Sequence, residues 1–109
     1  MPALVYPLMV EQGADFTLSI PVLNASAQPV SVNGWGVAGQ IRATLYDATV
    51  LHELDLTPSG STVILHIPGG ISAAWAWQSG RYDVELTSPG GDISRLVEGP
   101  VLVRPNVTR

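Results

Sequence analysis

Cysteine and lysine are both missing from this chain of 109 residues. Without cysteine there is no disulfide staple and no thiolate metal site, and the redox compartment leaves no mark. Without lysine the basic charge rests on five residues, Arg42, Arg81, Arg95, Arg104 and Arg109, which lie scattered in the sequence without a cluster, and the formal net charge is −4. An electrostatic footprint for nucleic acid is therefore absent, and nothing invites an anionic membrane surface. Ala3 to Val10 is apolar but broken by Pro7. It lacks a basic leader and is far too short to span a bilayer, so neither a signal peptide nor a membrane anchor is expected. Catalytic signatures are missing too. No serine sits in a nucleophile elbow, and the glycines of GWGVAG (Gly34, Gly36, Gly39) precede no helix that could cradle a phosphate. We expect no enzyme and no cofactor.

What is present is apolar. Hydrophobic residues make up 46% of the chain and charged ones 13%, which argues against disorder and supplies a packed core. The length allows one domain, residues 1–109. A mean hydropathy of +0.27 in so small a chain implies either a thick core or apolar surface covered by a partner.

The pattern along the chain is β. Phe16, Leu18, Ile20 and Val22 alternate with Thr17 and Ser19. Val63, Leu65 and Ile67 alternate with Ile64 and His66, and Tyr82, Val84 and Leu86 with Asp83, Glu85 and Thr87. Such period-2 alternation marks strands with one buried and one wet face. Pro7 and Pro21 favour edge positions. Val37 to Asp47 reads as the central strand, Leu23 to Gly36 as loop with a short valine strand around Val30 to Val32, and Thr57 to Ser61 as a second loop. Ile71 to Gln78 breaks the pattern and reads as one or two helical turns, with Ser72 as a cap. Ser79 to Arg109 reads as one long hairpin turning at Ser88-Pro89-Gly90-Gly91, with the positive φ of a type II turn at Gly90 and an interruption at Gly99-Pro100. About six to eight short strands divided by Gly/Pro turns fit an all-β sandwich with one short helix near 71–78.

The candidate sites are few. His52 and His66 read as exposed or hydrogen-bonded strand histidines rather than metal ligands. Asp83 and Glu85 share a strand face and read as a solvated edge-protecting face, with Arg81 pairing to one of them. Trp35, Trp75 and Trp77 could stack on sugar. The competing reading makes them core and interface anchors, with Trp75 and Trp77 facing apart. Asn24-Ala-Ser26 and Asn106-Val-Thr108 fit the glycosylation pattern and are read as chance.

Four stretches occur in a suggestive order: EQGADFTLSIPV, GQIRATLYD, SGRYDVEL and GGDISRLVEGPVLVRPNVTR. In this order they resemble the small Ig-like β-sandwich virion proteins of tailed bacteriophages, of the collar, tail-fibre-attachment and tail accessory type. The matching positions are Tyr82, Asp83, Glu85, Gly91, Arg95, Gly99, Val101, Val103, Pro105, Val107, Thr108 and Arg109. The resemblance implies a single Ig-like antiparallel sandwich and a non-enzymatic structural protein of the virion, made in the host bacterial cytoplasm. Its partners would be other virion proteins and further copies of itself, with no nucleic acid and no membrane. Sandwich edges and a loose arm from Arg104 to Arg109 would dock neighbours. Trp77, Arg104, Pro105, Val107 and Arg109 are the candidate interface residues. The alternative is a carbohydrate-binding or adhesion sandwich.

Overall fold

The structure, a computed structural model, describes residues 3–107. Its elements follow in the order β1 (Leu4–Val5), β2 (Leu8–Glu11), β3 (Phe16–Pro21), β4 (Gly36–Arg42) and β5 (Val50–Glu53). Then come β6 (Asp55–Ser59), β7 (Thr62–Ile67), α1 (Gly69–Ser72), β8 (Ser79–Thr87) and β9 (Ile93–Arg104). The larger sheet has the order β1-β9-β8-β4-β5, with β2 also on β9, and the smaller is β3-β7-β6. Three strands opposite a sheet centred on the last hairpin make an all-β sandwich. All pairings are antiparallel except β1 and β2, which run parallel to β9. Ile20, Val63, Leu65 and Ile67 of the smaller sheet meet Leu8, Val10, Ile41, Val84, Val97 and Val101 of the larger in one core.

The hairpin β8–β9 is the spine, and it departs from expectation at two points. Gly90 keeps out of the left-handed region and Gly91 enters it, with φ +92°. The Gly91 N–H donates to the Ser88 carbonyl at 2.9 Å, and the Ser88 N–H to that of Asp92 at 2.8 Å. This is a three-residue loop closed by a left-handed glycine, not a type II turn. Nor does Gly99-Pro100 interrupt the strand, since β9 runs unbroken for 12 residues. The Glu98 and Arg104 carbonyls both accept from the N-terminal segment, so even-numbered residues of β9 direct their backbone that way. Pro100 therefore lacks its N–H opposite the gap between β1 and β2, where Pro7 lies and no ladder bond is lost. The shift between Val84 and Glu85 leaves Leu96 as an extra residue, and this bulge buries Leu96 and Val97 in succession.

Other boundaries shift as well. The central strand ends at Arg42, leaving Leu45 and Tyr46 exposed in a loop. The chain changes sheets at Leu54, between β5 and β6, and β6 continues through Thr57-Pro58-Ser59, expected as loop. No strand forms at Val30 to Val32, where Val32 is buried; an isolated bridge, Leu23 to Pro29, lies just before it. The helical turn covers Gly69–Ser72 only. Ser72 does not cap it but closes it: buried, it accepts from the Gly13 N–H at 2.9 Å and donates to the Gly69 carbonyl at 3.3 Å.

Candidate functional site

Neither Trp75 nor Trp77 lies in the helical turn, and they do not face apart. Their rings stack with centroids 4.5 Å apart and planes 26° from parallel, and the edge of His52 meets Trp75 at 5.2 Å. Both tryptophans are half-buried against the core. Trp35 is half-buried elsewhere, beside Val30 and Leu96 in an apolar groove of 520 Å³. A sugar platform needs flat exposed ring faces; here two of the faces cover each other. His52 differs from its expectation as well, being half-buried with Nε2 enclosed and unpartnered among the described residues. Burial pushes its pKa below 6.5, against the opposing charges of Glu53 and Asp55. His66 is half-buried, with Nδ1 3.1 Å from Thr17 Oγ1.

The carboxy-terminal arm is less loose than expected. Arg104 belongs to β9 and pairs with Glu11 at 3.3 Å, both well exposed. Pro105 is exposed, and Asn106 lies against Gly13, where a Cβ would meet its Nδ2 at 2.9 Å. Val107 is 94% exposed. Arg109 falls outside the described residues.

Two surface features escaped the sequence reading. The first is apolar. Met9 lies in register with Leu102, and Val5 with Glu98, all on the outward face of the larger sheet, while Leu8 and Val10 point into the core. Val5 is 72%, Met9 47% and Leu102 45% exposed, forming a stripe along a sheet edge that no other described strand covers. The second is charged. Arg42, Arg81 and Arg95, far apart in sequence, line one pocket on this outward face with Asp83 and Glu98. Arg95, not Arg81, binds Asp83, at 3.4 Å, and it also reaches Glu98 at 3.3 Å. Glu85 is exposed beside it. The available signal was that Arg42 and Arg81 both occupy the polar phase of their strands; their meeting depends on which strands pair.

Among the described residues no group of three or more His, Asp or Glu is placed to hold a metal ion, and no helix is long and apolar enough to cross a membrane. Neither a family model nor a curated protein matches the chain.

Proposed function

We propose that this chain is a non-enzymatic structural protein of a tailed-phage virion, a tail, collar or fibre-attachment component that works by protein–protein assembly. The supporting observation is the apolar stripe of Val5, Met9 and Leu102 beside the outer edge of β1 and β2, which pairs with no strand among the described residues. An open edge offers backbone donors and acceptors for strand addition, and exposed apolar side chains next to it supply burial on docking. A second copy or another virion protein would cover this surface. The stacked tryptophans lend the glycan-binding alternative no flat exposed pair.

Light scattering on the purified chain reads self-assembly, with an oligomer expected and a smaller mass for Met9→Lys. A strict monomer at high concentration would remove the self-assembly part. Gold-labelled antibody on phage particles from the source reads the virion role: label at the collar or tail supports it, and unlabelled intact particles overturn it.

A further inference from the structure

We propose that the outward face where β4 meets β8 holds a pocket for a single carboxylate group. Arg42 and Arg81 are directly opposite on neighbouring antiparallel strands, which sets their Cβ atoms about 5 Å apart. Like charges in that relation repel, so a fold normally places an acid between them. None is there. Among the described residues Arg42 donates only to uncharged oxygens, the Asp47 carbonyl at 2.7 Å and Gln40 Oε1 at 2.8 Å. Arg81 is half-buried and engages no partner among the described residues. The pocket's own acids, Asp83 and Glu98, are held by Arg95, and the nearby Glu53 carboxylate accepts from Gln40 Nε2 at 2.8 Å.

The charge count selects the ligand. Three arginines face two carboxylates in the lining, leaving one positive charge in a chain of net charge −4. A monoanion balances that surplus, whereas a phosphate dianion would be repelled by Asp83 and Glu98. The two oxygens of a carboxylate can each take one guanidinium fork, converting the Arg42–Arg81 repulsion into attraction. The volume, 340 Å³, accommodates the group and the first atoms of its carrier. The carrier is an acidic side chain of a docked polypeptide or a free small acid; only the first of these rests on the assembly reading.

NMR titration tests the pocket, following the arginine Nε–H signals as sodium acetate replaces sodium chloride at constant ionic strength. Arg42 and Arg81 should shift and saturate. Arg81→Gln should weaken acetate binding about tenfold or more, while Arg104→Gln, a control outside the pocket, should leave it unchanged. Without acetate, Arg81→Gln should melt no lower than the parent, because it removes a repulsion. A blocked peptide with one aspartate, titrated in parallel, identifies the carrier. Tighter binding than acetate assigns it to a polypeptide and equal binding to a free acid, and both uphold the pocket. Unsaturable shifts, undiminished binding by Arg81→Gln, phosphate binding tighter than acetate, or a lower melting point for Arg81→Gln would each overturn it. Light scattering on the same samples reads assembly separately, so either reading can fail alone.

Discussion

Gly99→Ala tests how the first strands are fastened to the sandwich. Gly99 is buried in β9 opposite Tyr82, and an added Cβ would lie 2.5 Å from the Tyr6 carbonyl oxygen and 3.0 Å from its carbon. Both are backbone atoms, so no rotamer change relieves the clash. The same carbonyl accepts the Tyr82 hydroxyl at 2.6 Å, and the Tyr6 N–H donates to the Glu98 carbonyl at 2.9 Å. Burial, with Tyr6 as a lesser cause, pushes the Tyr82 hydroxyl well above its ordinary pKa, so it remains a donor throughout the accessible pH range. A methyl group at position 99 must therefore lift the Tyr6–Pro7 crossing. Losing the Tyr82 bond costs about 1 kcal/mol. If Leu8 and Val10, both fully buried, come away as well, each adds about 1.5–3 kcal/mol. With both released we expect Gly99→Ala to cost about 4–7 kcal/mol in urea unfolding, and Tyr82→Phe only about 1 kcal/mol. Hydrogen exchange should show Leu8 to Glu11 losing protection before the β8–β9 hairpin does. A Gly99→Ala cost no larger than that of Tyr82→Phe would refute the crossing as the fastening point.

Three smaller predictions use the same assays. Gly91→Val forces a β-branched residue to positive φ and should cost about 1–3 kcal/mol. Gly90→Val would meet only Ser88 Oγ, at an ordinary 3.9 Å, and should cost less than about 1 kcal/mol; a reversed order would mean the turn is misassigned. For His52 the folded pKa lies below the unfolded value of 6.5. The unfolded state therefore binds more protons between the two values, and stability present above pH 6.5 is lost as pH falls through that window. His52→Phe should flatten this part of the pH–stability curve while keeping a ring against Trp75; an unchanged slope below pH 6.5 would assign it elsewhere. Arg104→Ala breaks an exposed pair with Glu11 and should cost less than about 1 kcal/mol, with a larger loss pointing to packing by the arginine stem.

The strands of the smaller sheet were legible because their alternation is undisturbed. Phe16, Leu18 and Ile20 stand in register with Ile67, Leu65 and Val63, as their inward phase requires. The hairpin was legible for the same reason, but its turn was not. Pro89-Gly90-Gly91 satisfies two loop geometries, and the choice between them depends on how the flanking strands are staggered. Gly99-Pro100 misled because proline breaks a ladder only where its N–H is needed, and that depends on a neighbour almost a whole chain length away. The tryptophan pair was not legible because the alanine-rich ISAAWAWQ favours helix, whereas the chain runs on irregularly after Ser72. Exposure of Met9 and convergence of Arg42 with Arg81 are both products of strand order, and alternation within one strand carries no information about its neighbours.

Strand order also separates the two outer surfaces of the sandwich. Outward from the smaller sheet, Thr17, His66 and Asp55 stand in one row and Ser19, Ile64 and Thr57 in the next. Small hydroxylated and polar residues of this kind satisfy themselves in water, as Thr17 and His66 do with each other. The larger sheet differs. Its outward face carries Val5, Met9 and Leu102 at one edge, then Pro100, then the opposed pair Arg42 and Arg81. Exposed apolar area and uncompensated like charge both raise the free energy of the isolated domain, and neither is required by the core beneath, which Leu8, Val101, Val84 and Ile41 complete on the inner side. A partner that covers the stripe and delivers a carboxylate to the arginines removes both penalties at one face. This makes the larger sheet, rather than the arm or the smaller sheet, the surface on which docking should be sought. Substitutions at Thr17, Ser19 or Thr57 should then leave the mass in light scattering unchanged, whereas Met9→Lys is expected to lower it. Equal sensitivity of the two faces would refute the assignment.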